Sequence, residues 1–109
     1  MIGRLARLLG TFAVATAASA QTAPIAHEIH ARFACAEGKS IDATFVNGTA
    51  SSATLTLSDG RKLSLPQARS GSGARYANGD ESFVFWNKGD TAFIEEDGKT
   101  TYADCVTSR

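Results

Sequence analysis

A serine, a lysine, two cysteines and two histidines have the strongest claim to chemistry in this 109-residue chain. Ser72 sits in a Gly/Ser-rich run, Ser70-Gly71-Ser72-Gly73, that leads into Ala74-Arg75-Tyr76. As a hydrolytic nucleophile Ser72 lacks partners. A Ser-His-Asp site needs a histidine base, and His27 and His30 fall in what reads as an N-terminal tail. A serine–lysine dyad with Lys88 needs a desolvated amine and an oxyanion hole, and no local pattern supplies either. A phosphate cradle is equally poor, because no helix follows the glycines and the Walker spacing is absent. His27 and His30, three apart on an extended segment, point to opposite faces, so no metal site is expected. No cofactor is implied. Lys88 lies in Phe85-Trp86-Asn87-Lys88-Gly89-Asp90, where a tight turn displays a cation on a stiff support. The plain structural account makes Phe85 and Trp86 core aromatics and Lys88 a solubilising charge.

Eleven Lys and Arg balance eleven Asp and Glu, which disfavours a nucleic-acid binder. The first twenty residues stand apart. Arg4 and Arg7 precede an uncharged run, Leu8 to Ala18, and Ala18-Ser19-Ala20 forms an A-x-A site. This pattern predicts a secretory signal peptide cleaved after Ala20, leaving a domain over 21–109. The run is too short to span a bilayer. No lipobox cysteine follows, so a bacterial periplasmic protein without a stable membrane anchor is expected. Loss of Arg4 and Arg7 leaves nine positive and eleven negative side chains, a net of −2. Residues 80–109 hold three Lys/Arg against seven Asp/Glu, an acidic third that favours a basic partner. In an oxidising compartment Cys35 and Cys105 are expected to form a disulfide joining the start of the fold to its end.

The elements that must carry these side chains read as strands. Ile29, Ala31, Phe33 and Cys35 alternate on one face, as do Ile41, Ala43 and Phe45, then Leu55 and Leu57, then Leu63 and Leu65. Asp59-Gly60 and Asp97-Gly98 mark hairpins, with type I′ geometry as the favoured turn. In Ser82 to Asn87, Phe83 and Phe85 oppose Val84 and Trp86. Asn47-Gly48-Thr49 matches a glycosylation acceptor and reads here as an ordinary turn. No helical period is sustained beyond the leader. The expectation is an all-β meander, more readily a small antiparallel barrel than a sandwich at this length.

At this point the residues carry a resemblance. Ser72-Gly73-Ala74-Arg75-Tyr76 followed by Phe85-Trp86-Asn87-Lys88-Gly89-Asp90 resembles the paired SGxxY and FWxKG signature of the C-type lysozyme inhibitor family of Gram-negative bacteria. An early cysteine, a late cysteine and a central hairpin of the Leu55 to Gly60 type accompany it. The resemblance spans about residue 33 to 105. The stretch between Tyr76 and Phe85 is about two residues longer than the family pattern, so the loop before Trp86 is expected to bulge. The absent lipobox makes the chain look like the periplasmic form.

The resemblance implies an eight-stranded barrel that plugs the active-site cleft of a C-type lysozyme, with Ser72 and Lys88 entering the cleft. It implies a binding protein and not an enzyme. Gly73, Arg75 and Tyr76 complete the candidate lysozyme-binding set. Gly71 and Gly73 are expected to let the loop fit a narrow cleft, so that Gly73→Val weakens inhibition with little loss of stability. Tyr76 and Trp86 are expected to support the loops, and Arg75 either meets the partner's rim or is solvated. An exposed edge or the acidic face could support a homodimer, though nothing in the pattern demands one. The competing reading is an exported barrel binding a small molecule in its interior, which a barrel filled by its own Phe, Leu and Val side chains disfavours.

Overall fold

The computed structural model describes residues 27–107. The leader and its cleavage site lie outside them. Eight strands follow one another: β1 (His27–Ala34), β2 (Ser40–Asn47), β3 (Ser52–Leu57), β4 (Lys62–Ala68), β5 (Ala74–Ala77), β6 (Phe83–Lys88), β7 (Thr91–Glu96) and β8 (Lys99–Thr107). Each pairs antiparallel with the next, and β8 returns to β1, closing an up-and-down barrel. One short 3₁₀ turn, Ala36–Gly38, joins β1 to β2.

Period-two alternation puts Phe33, Ile41, Ala43, Phe45, Leu55, Leu57, Leu65, Phe85 and Ile94 inside, where they fill the lumen. Phe85 sits at the centre of the aromatic packing, 6.0 Å from both Phe33 and Phe45 and 6.1 Å from Tyr76 between ring centroids. Val84 is buried as well as Phe83 and Phe85, so β6 is covered on both faces in its first half.

Three expectations need correction. His27 and His30 belong to β1 and not to a tail; His30 Nδ1 lies 3.0 Å from Thr44 Oγ1 on β2. Both histidines are exposed. Ile29, expected inside with Phe33, is 53% exposed, because β1 outruns its partner on one side. β8 pairs with β1 only at Phe33 and Ala34, so the outer edge of His27 to Arg32 overhangs the seam. The two Asp-Gly turns also differ. Asp97 and Gly98 both have positive φ, as a type I′ turn requires. At the first hairpin only Gly60 does. Gly60 N donates to the Leu57 carbonyl at 2.9 Å and Leu57 N to the Arg61 carbonyl at 2.9 Å, a longer turn with a left-handed glycine.

In an up-and-down barrel alternate turns share an end. The β3–β4 and β7–β8 turns therefore meet at one mouth, and Arg61 ties them together. Its Nη1 and Nη2 donate to Glu96 Oε1 and Oε2 at 2.8 and 3.0 Å, and its Nε donates to Asp59 Oδ2 at 2.8 Å. The Thr101 hydroxyl donates to Glu96 Oε2 at 2.7 Å. The guanidinium bonds from Arg61 hold the Glu96 carboxyl below its ordinary range, with the Thr101 bond adding to this against partial burial. A carboxyl whose pKa is depressed on folding stabilises the fold above the unfolded-state pKa and loses that contribution as pH falls through the folded value. Thermal melts should therefore weaken on acidification below the usual carboxylate range. Glu96→Gln should cost about 1 kcal/mol at neutral pH, given the partly exposed pair, and should flatten that acid limb. An acid limb as steep in the variant as in the parent would exclude Glu96 as its source.

Candidate functional site

The other mouth gathers the β2–β3, β4–β5 and β6–β7 connections. The β4–β5 loop carries Ser72 and the β6–β7 turn begins at Lys88. Both side chains are exposed, and they line one hollow of about 270 Å³ with Trp86, Asn87, Thr91, Ala92 and Phe93. Two candidates separated by sixteen positions in sequence are thus brought together by the pairing of β5 with β6.

Each loop is pinned. The Ser70 hydroxyl donates to the Gly73 carbonyl at 2.9 Å, drawing the Ser72 loop closed. The Asn87 amide nitrogen donates to the Gly89 and Thr91 carbonyls at 3.2 and 3.1 Å, and the Thr91 hydroxyl donates to the Lys88 carbonyl at 2.9 Å. Gly89 has a φ of 58°, which lets the chain reverse directly after Lys88. The Lys88 cation is therefore presented from a stiff turn.

Gly73 joins the two loops. Its φ is +71°, and a Cβ there would stand 2.9 Å from the Asn87 carbonyl oxygen and 3.2 Å from Lys88 Cβ. This changes the expected role of the glycine, which serves the approach of one loop to the other. Gly73→Val should cost about 2 kcal/mol from the left-handed backbone alone, and should push the two loops apart. Gly71 has no positive φ and nothing within 4 Å of a Cβ, so Gly71→Ala should leave a denaturant midpoint unchanged. Equal midpoints for Gly73→Val and the parent would remove this account.

Tyr76 is buried, with its ring 5.6 Å from Phe45, and burial raises its phenol pKa. Its ring packs in the core, where it also borders the hollow between β1 and the β6–β7 turn. Arg75 is mostly covered rather than solvated. Its side chain is only 17% exposed; Nη1 donates to the Arg69 carbonyl at 3.3 Å, Nη2 pairs with Glu81 Oε1, and the guanidinium lies 5.5 Å over the Trp86 ring. Trp86 in turn stacks on Phe93, at 5.9 Å and 16°. The longer stretch before Trp86 leaves the pairing of β5 with β6 undisturbed. Ala74 to Ala77 pair with Asn87 to Val84 without a register shift. The extra length lies in the β5–β6 turn, where the Asn78 side chain accepts from Phe83 N and donates to Ser82 Oγ, both at 3.0 Å.

Asn87, Thr91 and Phe93 were not singled out from sequence. The first two are visible only as residues flanking a Lys-Gly turn. Phe93 emerges only from the register that sets it opposite Trp86.

Lys88 is exposed, so its ammonium keeps its hydration, which a serine–lysine hydrolase could not use. Ser72 offers a hydroxyl and Lys88 an ammonium at one mouth of the barrel. The fold and site define a disulfide-closed β-barrel that presents polar side chains from paired loops. A family model described as membrane-bound lysozyme-inhibitor of c-type lysozyme matches residues 33–102, and the chain belongs to that family. A membrane-bound lysozyme inhibitor of C-type lysozyme from Yersinia enterocolitica is 51% identical over 47 residues. That match covers 43% of this chain and 38% of the relative, so it spans well under half the relative's length.

Among solved structures, Pseudomonas aeruginosa MliC in complex with hen egg white lysozyme is 25% identical, with a TM-score of 0.64 over 88% of this chain and 98% of that one. The periplasmic lysozyme inhibitor of C-type lysozyme from Salmonella typhimurium is 18% identical with a TM-score of 0.64, covering 76% and 100%, and shares the fold.

Proposed function

We propose that this protein inhibits a C-type lysozyme by seating Ser72 and Lys88 in the enzyme's active-site cleft. The observation that carries the proposal is the convergence of these two residues, from separate loops, on one hollow of a barrel belonging to a lysozyme-inhibitor family. The solved Pseudomonas aeruginosa relative in complex with hen egg white lysozyme supports the choice of partner.

The chemistry is consistent with that partner. Lysozymes cleave with a general-acid Glu of raised pKa and an ionised Asp. A permanent carboxylate accepts an ammonium, which offers three donors and a positive charge. A serine hydroxyl both donates and accepts, so it suits a carboxyl group whose proton comes and goes. Attraction between the acidic C-terminal third and a basic enzyme would speed encounter. Export, with cleavage after Ala20, places the inhibitor in the periplasm, where an invading lysozyme meets the cell wall. The test is cell-wall lysis by a C-type lysozyme, followed as the mature protein is titrated in. Stoichiometric loss of lysis is expected. Undiminished lysis at micromolar excess would overturn the reading and revive that of a ligand-binding barrel.

A further inference from the structure

We infer that Arg75 is a positioning residue that sets the relative placement of the Ser72 loop and the Lys88 strand, an inference that rests on the proposed function. Arg75 pairs in register with Trp86, and Trp86 with Phe93, so the three side chains form one ladder across the outer faces of β5, β6 and β7. The guanidinium is the only group in this ladder that also reaches both neighbouring connections. Through Nη1 it holds the Arg69 carbonyl, where the chain enters the Ser72 loop. Through Nη2 it holds Glu81 in the β5–β6 turn. Its central carbon lies 5.5 Å over the Trp86 ring, two residues before Lys88, and Phe93 stacks on the same indole from β7.

A planar guanidinium can stack and donate in two directions at once. An ammonium in its place keeps the charge but lacks the plane and the fork. The Ser72 loop is otherwise tied to the Lys88 strand through the close approach of Gly73 to the Asn87 carbonyl. Arg75 supplies a second tie, between the Arg69 carbonyl at the loop's entry and Trp86 on β6. Its low exposure leaves the partner little of it to touch, so its influence on binding passes through Ser72 and Lys88.

Two readouts test this. The first needs no lysozyme. Trp86 is the chain's single tryptophan, so emission and acrylamide quenching of the free protein report its cover directly. Arg75→Ala and Arg75→Lys should both make the indole more quenchable, as should Glu81→Gln to a smaller degree. The second is a double-mutant cycle on lysozyme inhibition, with Arg75→Lys made alone and in a Lys88→Ala background. Arg75→Lys alone should weaken inhibition by about tenfold, through loss of the stacked plane and of the fork that donates in two directions. In the Lys88→Ala background that loss should shrink to under about threefold, because one of the two placed groups is gone.

Additive losses would mean that Arg75 touches the partner by itself, and would overturn the inference. So would normal inhibition by a folded Arg75→Lys protein whose parent inhibits. If Arg75→Ala does not fold, Arg75→Lys and Glu81→Gln still decide the matter. If the parent fails to inhibit, the functional reading fails, and unchanged Trp86 quenching would separately sink the positioning role.

Discussion

Replacing Lys88 by alanine should weaken lysozyme inhibition by about thirtyfold to several thousandfold while leaving the melting temperature in place. The range corresponds to about 2–5 kcal/mol, the cost of removing one member of a buried charge pair at an interface. The fold should not notice, because the Lys88 side chain is exposed at a strand end and its backbone carbonyl, not its ammonium, accepts the bond from Thr91. Ser72→Ala should cost less, since a hydroxyl contributes one hydrogen bond to a charged acceptor, about 1.5–3 kcal/mol, without a charge of its own. The two variants together separate cleft insertion from simple barrel-to-enzyme docking. If both inhibit like the parent and remain folded, neither side chain enters the cleft.

The second large effect concerns the seam. Cys35 and Cys105 form a disulfide across a sequence separation of 70. Phe33 pairs with Thr107 and Ala34 with Val106, so the disulfide takes the next rung of the same ladder. The barrel thus closes on two backbone pairings and one covalent link. Removing the link with Cys35→Ala and Cys105→Ala should cost about 4 kcal/mol in the chain-entropy model, an upper value for a loop of this length. A domain of this size has little stability to spare. The paired variant should therefore unfold at a much lower urea concentration, and the parent should behave like it under strong reductant. A midpoint within experimental scatter of the parent's would show that backbone pairing alone holds the seam.

Much of this architecture could be read in advance because the barrel obeys period two. Ile41, Ala43, Phe45, Leu55 and Leu57 alternate cleanly and all are buried. The same rule failed at Ile29, where alternation continues beyond the neighbouring strand that would have covered it. It could not distinguish the two Asp-Gly turns, because the choice depends on how many residues each turn holds between its closing hydrogen bonds. Within the candidate site, Ser72 and Lys88 were picked out by their motifs, and the structure brings them to one hollow. The contacts of Gly73 and Arg75 were not foreseen. Gly73 is constrained by a carbonyl fourteen residues away, and Arg75 by a tryptophan across the sheet. Such constraints follow from register, which no local pattern encodes.

The overhang of β1 bears on how the protein survives in company. From His27 to Arg32 one side of the strand has no neighbouring strand among the described residues. Bare strand margins invite stray chains to add on and seed polymers. Here Glu28, His30 and Arg32 stand along that margin, all exposed, with Arg32 paired to Asp42 at 3.1 Å. An apolar intruder would have to strip water from this charged fringe before its backbone could attach, which guards a barrel otherwise closed on itself against becoming the first link of a fibre.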